Sequence, residues 1–186
     1  MQENKKETLI VNLIGAPSTC KTTIMGDVFS ALKWLNINSE IVTEFAKDLV
    51  WAKRFEDMKD EIYIFAKQNH RLFTVCGKVD VVVTDRPLLL TVVYNNRYGD
   101  GGEELNKLVL KEFNKHNNLN ILLNRVHDYS PIGRVQTEEE ADEIATSIKE
   151  LLDENNIEYI ELDGCKESVE KITEEILKRL GKIEEK

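Results

Sequence analysis

The chain has 186 residues, 41% of them hydrophobic and 32% charged, with a formal net charge of −9 at pH 7. That balance describes one soluble domain large enough to bury a core, and it disfavours duplex nucleic acid as a partner, which needs a basic face to neutralise phosphates. Residues 1–7 are polar and charged, and no apolar run approaches membrane-spanning length, so neither a signal peptide nor a membrane partner is expected and the cytoplasm is the simplest compartment.

The predicted elements alternate between strand and helix. Thr8 to Ile14 is a short apolar run, followed by the small-residue loop Gly15-Ala16-Pro17-Ser18-Thr19-Cys20-Lys21-Thr22-Thr23. Ile24, Val28, Leu32 and Leu35 then recur at helical spacing. Ile41-Val42-Thr43 reads as a second strand ending at Glu44. A helical region extends to Gly77, with an apolar stripe including Ile62, Phe65, Ala66, Phe73 and Cys76, and Gly77 serves as its stop. Val79 to Thr84 is nearly all valine, as in a central strand buried on both faces. Leu105, Leu108, Val109 and Phe113 mark a helix, and Leu119 to Leu123 a fourth strand. Thr137-Glu138-Glu139-Glu140 is a capping box opening a helix through Ala141, Ile144, Ile148 and Leu151. Ile157 to Leu162 is a fifth strand, and Val169, Ile172, Ile176 and Leu180 lie on a last helix. The expectation is an α/β fold over 1–186: one domain, a five-stranded parallel sheet with helices on both faces, and tails at 1–7 and 182–186.

Strand, small-residue loop, Lys-Thr and helix in that order form a phosphate-binding loop. Its N–H groups would converge on an anion at a helix N-terminus, with Lys21 on the outer phosphates and the Thr22 hydroxyl on magnesium. Cys20 departs from the pattern, which has glycine before the lysine. Phosphate binding is therefore expected to be weakened rather than abolished.

In a doubly wound sheet, ligands lie beyond the carboxyl ends of the strands. Each loop expected there carries ionisable groups. Asp85 ends the valine strand, where it could organise magnesium or accept the proton of an attacking hydroxyl. Arg86 has the geometry of a phosphate clamp. Arg125 and Arg134 flank Ser130-Pro131-Ile132-Gly133, a flap suited to excluding water around a migrating phosphoryl group. Glu44 suits an acceptor hydroxyl, and Gln68 and Arg71 share a helix face from which Gln68 could read a nucleobase edge. The three histidines show no metal-ligand spacing, and Cys20, Cys76 and Cys165 form neither a disulfide framework nor a zinc pattern.

The loop resembles that of the small phage and bacterial AAA-type ATPases related to the kinase domain that phosphorylates nicotinamide riboside. So do Thr43-Glu44-Phe45-Ala46-Lys47, Gln68-Asn69-His70-Arg71, Asp85-Arg86-Pro87-Leu88-Leu89 and Gly133-Arg134-Val135-Gln136-Thr137-Glu138. The likeness runs from Thr8 to Leu162. Asp85-Arg86 is also similar to the acid–arginine pair of thymidylate and deoxynucleoside kinases. The resemblance implies ATP and Mg2+ as cofactors and phosphoryl transfer to a small-molecule nucleoside or (deoxy)nucleoside monophosphate, with a homodimer compatible. The alternatives are an AAA-type ATPase or nucleotide-binding protein without such an acceptor, and a kinase of a modified base in DNA.

Overall fold

The computed structural model describes residues 7–132 and 135–184. Gly133, Arg134 and the outermost tail residues (1–6 and 185–186) lie outside that range. In chain order the elements are β1 (Leu9–Ile14), α1 (Lys21–Trp34), β2 (Ser39–Val42), α2 (Phe45–Trp51), α3 (Glu61–Val75), β3 (Val81–Thr84), α4 (Leu90–Tyr98), α5 (Gly102–Phe113), β4 (Asn117–Asn124), α6 (Glu138–Glu154), β5 (Ile160–Asp163) and α7 (Glu167–Arg179), with a 3-10 turn at Glu56–Lys59.

The strands form one parallel sheet in the order β2-β3-β1-β4-β5. β1 is the hub, pairing Leu9 with Val81 on one side and with Asn117 on the other. Its six residues are all buried, because helices cover both faces of the sheet. Leu9, Val11 and Leu13 pack with Ile24, Val28 and Leu32 of α1 and Ile172 and Ile176 of α7. Ile10 points to the opposite side, against Phe65, Leu72 and Val92, and Ile14 does so against Leu89, Ile144 and Ile148. Asn12 interrupts that apolar side, and its amide donates to Asn118 and Asn120 of β4 at 2.9 and 3.0 Å.

Several stretches differ from the sequence expectation: α4 matches no predicted element, and β5 starts at Ile160 rather than Ile157. The single helical region after Glu44 is α2, the 3-10 turn and α3, separated where Lys53 adopts a left-handed φ of 57°. The α3 stripe is also rotated: Ile64, Phe65, Gln68 and Leu72 face inward, whereas Ile62 and Phe73 are 55% and 70% exposed. Gly77 does stop the helix region with φ 83°, and Thr137 and Glu140 form both halves of their capping box. All five strands end at the same edge of the sheet, and the loops gathered there build the site described next.

Candidate functional site

The chain leaves β1 through Gly15, where no side chain fits. A Cβ would lie 2.8 Å from the Leu123 carbonyl oxygen and 2.6 Å from Thr19 Oγ1. The loop then curls onto the N-terminus of α1, whose first N–H groups have no intrahelical partner and whose dipole adds positive potential. Ser18 and Cys20 both take left-handed backbone, φ 71° and 59°. Cys20 is the N-cap of α1, so the position that usually holds glycine does need a glycine-like angle. Its half-buried thiol packs against the core beneath α1.

Lys21 folds back over the loop, its Nζ donating to the carbonyls of Gly15 and Ala16 at 2.8 and 2.7 Å. The Thr22 hydroxyl donates to Asp85 Oδ2 at 2.6 Å, and Asp85 Oδ1 accepts the Glu44 N–H at 3.0 Å. Buried Asp85 therefore ties together the start of α1, the end of β3 and the end of β2.

Arg86 is buried beside it. Its Nη1 donates to Glu44 Oε1 at 3.1 Å, its Nη2 lies 3.8 Å from Glu61 Oε2, and its Cζ sits 4.3 Å from the centroid of the Tyr94 ring. Burial opposes the charge on this guanidinium, but the Glu44 and Glu61 carboxylates outweigh it and raise its pKa. Burial likewise raises Glu61 to about 7, with Arg86 pulling it part of the way back. Burial also lifts the Tyr94 hydroxyl to about 12.

A cavity of about 660 Å³ opens in front of these groups. Loop residues 17–23, Glu44, Asp85 and Arg86 line it, and Val50, Phe55 and Met58 add apolar lining. Ile132 and Val135 of the flap reach its rim, and the Ser130 N–H donates to Ser18 Oγ at 3.1 Å, which joins flap to loop.

The structure brings residues 15–23, Glu44, Asp85 and Arg86 together, and it leaves three others off the lining of this cavity. Gln68 does not face the cavity: its Oε1 accepts the Phe45 N–H at 3.0 Å and its Nε2 donates to the Thr43 carbonyl at 3.3 Å, so it braces backbone instead of reading a base. Arg71 is spent on the Thr43 carbonyl and hydroxyl and on Asp48. Arg125 is absent from that cavity and lines a second cleft of about 470 Å³ together with loop residues Gly15, Ala16, Pro17 and Thr19, held by Asp142 at 2.6 Å and Glu138 at 3.3 Å. Arg134 falls outside the described residues.

Sequence reasoning missed Glu61 and Gly164. Glu61 was readable in principle, since it precedes Ile64, Phe65 and Gln68 on the inward face of α3. At Gly164 a Cβ would meet the Thr19 and Asn124 carbonyls at 2.6 and 2.8 Å, a long-range packing need with no local signature.

The donor set suits the expected ligands. A threonine hydroxyl and a carboxylate are the hard oxygens that magnesium takes alongside phosphate oxygens, and the start of α1 suits an anion. Among the described residues no cluster of three or more His, Cys, Asp or Glu forms a self-contained metal site.

A family model described as an AAA domain matches residues 10–171. No curated protein matches the chain significantly. Among solved structures, NadR protein in complex with NAD and AMP-PNP aligns with a TM-score of 0.70 at 18% identity, covering 96% of this chain and 51% of that one. NadR protein in complex with NR aligns at 0.67 and 17%, covering 90% and 51%. The chain thus spans about half the length of the NadR chains. Deoxyadenosine kinase from M. mycoides, with products dCMP and a flexible dCDP bound, aligns at 0.56 and 17%, covering 94% of this chain and 100% of that one. At these identities the likeness is one of fold, a P-loop α/β domain.

Proposed function

The chain belongs to the AAA-domain family, and from that premise we propose that it transfers a phosphoryl group from ATP to a hydroxyl or phosphate oxygen of a nucleoside or (deoxy)nucleoside monophosphate. The observation that carries this reading is the Thr22–Asp85 pair at 2.6 Å, set between the phosphate loop and a cavity that holds Glu44 and Arg86. A hydrolase needs room only for water on that side. The cavity of about 660 Å³ takes in loop residues 17–23 and extends to the apolar side chains of Val50, Phe55 and Met58, which supports a second organic substrate beside the phosphates.

In this reading the triphosphate lies along residues 15–23, and Lys21 leaves the Gly15 and Ala16 carbonyls to meet its outer phosphates. Magnesium, when bound, neutralises charge on the β- and γ-phosphates, and Thr22 and Asp85 are the residues that would hold it. Glu44 takes the proton where the acceptor is a hydroxyl, while Arg86 keeps Glu44 oriented through the 3.1 Å bond. Arg134 is the flap cation offered to the migrating charge. The flap, fastened to Ser18, excludes water.

The AAA family name also supports a second reading, an acceptor-independent ATPase. ADP release with Mg-ATP, measured with and without a panel of nucleosides and monophosphates, separates the two. Release that rises at least about tenfold with one acceptor is the expected result, and release indifferent to every acceptor overturns the kinase reading.

A further inference from the structure

Four carboxylates line the cavity, and each of them is already engaged. Glu44 and Glu61 face Arg86 at 3.1 and 3.8 Å, Asp85 accepts from Thr22 at 2.6 Å, and Glu140 accepts the Thr137 N–H at 2.8 Å. The lining also holds four cations, Lys21, Lys47, Lys59 and Arg86. Arg86 is balanced by its two carboxylates, Lys21 lies on the Gly15 and Ala16 carbonyls, and Lys59 pairs with Glu56 at 2.8 Å. Lys47 is different. It is half-buried on α2 and makes no hydrogen bond or ion pair among the described residues.

We infer that Lys47 is the cation for the phosphate of the acceptor, which makes it a specificity-determining residue and narrows the acceptor to a nucleoside monophosphate. The inference deepens the kinase reading and rests on its assignment of the cavity to the acceptor. The sequence points to Arg86 as the phosphate clamp, yet the charge of Arg86 is matched by Glu44 and Glu61 before any ligand arrives. Arg71 and Arg125 do not line this cavity. A lysine ammonium without a partner keeps its charge for the ligand, and a phosphate offers it a dianion with strong acceptor oxygens. No contact within the protein has to break to receive that group. A neutral nucleoside would leave the ammonium facing an empty corner and gain nothing from it.

The order of residues along α2 suits such a ligand. Glu44, Lys47 and Val50 follow one another at three-residue spacing and all line the cavity, so acid, cation and apolar group succeed one another along one helix face. Val50 begins the apolar lining, continued by Phe55 and Met58, that is left for the sugar and base. In a monophosphate the attacking oxygen is already ionised, so Glu44 has no proton to take and its charge stays matched by Arg86. The acceptor oxygen bonds the γ-phosphorus as the bridging oxygen leaves with ADP.

The test is calorimetric binding of the four 2′-deoxynucleosides and their 5′-monophosphates to the full chain without ATP. The expected result is at least one monophosphate binding about tenfold or more tightly than its nucleoside. That ratio should fall to within about threefold in Lys47→Gln and stay above about fivefold in Lys47→Arg, which keeps the charge. Lys59→Gln, which removes an exposed lysine of the same lining, should leave the ratio within about twofold of its original value. Equal binding of nucleoside and monophosphate by the unaltered protein overturns the inference without recourse to any variant. An undiminished ratio in Lys47→Gln, an equal loss in Lys59→Gln, or no binding of either ligand also overturns it. If the ratio holds but no acceptor stimulates ADP release, the kinase reading fails and the subsite stands. If a nucleoside is phosphorylated and monophosphates bind no more tightly, the subsite fails and the kinase reading stands.

Discussion

Cys20 carries its strain in the backbone, at φ 59°, while its thiol gains packing against the core under α1. A non-glycine residue held there costs on the order of 1 kcal/mol, so Cys20→Gly should stabilise the fold by up to about 1 kcal/mol, less whatever packing is lost. Denaturant melts would read this, with ATP affinity changing less than about threefold. An affinity gain of tenfold or more would mean the thiol crowds the phosphates after all. Lys21→Ala should cut acceptor-dependent turnover by orders of magnitude with the melting curve preserved, and retained turnover would remove Lys21 from the reaction. Glu61 gives the pH dependence. Its folded pKa of about 7 exceeds the ordinary 4.5, so the native state holds this proton more tightly than the unfolded chain does. The resulting stability is complete below pH 4.5 and is lost as pH rises through 7, a decrease of about 3 kcal/mol. Melting temperature should therefore fall between pH 5 and pH 8, and Glu61→Gln should flatten that slope. A wild-type slope no steeper than that of Glu61→Gln would refute the assignment.

At the scale of elements, Gln68 shows how a side chain on one helix can shape the site through another. Its amide receives the Phe45 N–H and reaches the Thr43 carbonyl, which fixes the entry to α2 just where Glu44 projects. Gln68→Leu leaves the Phe45 N–H unpaired, while the Thr43 carbonyl keeps Arg71, and should cost about 1–3 kcal/mol. It should also raise acceptor KM more than ATP KM, and a uniform loss across both substrates would reduce Gln68 to a stability role. The phosphate loop, the Val79–Thr84 strand and the Thr137 cap were legible because their signals are local: a motif, an apolar run, a box of four residues. The rotation of α3 was not. Its inward face mixes Glu61 and Gln68 with Ile64, Phe65 and Leu72, and an apolar count passes over the two polar members. Arg125 pairs with Glu138 and Asp142 on the first turns of α6, a long-range contact that the sequence reading did not anticipate although it placed the start of that helix.

For the whole molecule, the parallel order β2-β3-β1-β4-β5 places every strand's carboxyl end on one side, so loops from distant parts of the chain converge. This is why a site scattered over residues 15–136 could be anticipated from strand ends. It is also why Gly164, which approaches the loop at Thr19, could not. Ligand binding should reach the global fold through the same convergence. A magnesium complex of a non-hydrolysable ATP analogue at 100 times its Kd should raise the unfolding free energy by about 2.7 kcal/mol. An unchanged melting temperature would count against nucleotide binding at this edge.

The hub position of β1 also bears on synthesis. Leu9–Ile14 is translated before both of its neighbours, Val81–Thr84 and Asn117–Asn124. A sticky hexapeptide must stay unpaired while about a hundred further residues are made, at roughly 5–20 residues per second. Nascent chains stalled before Asn124 should therefore be captured by holdase chaperones, and released ones should not.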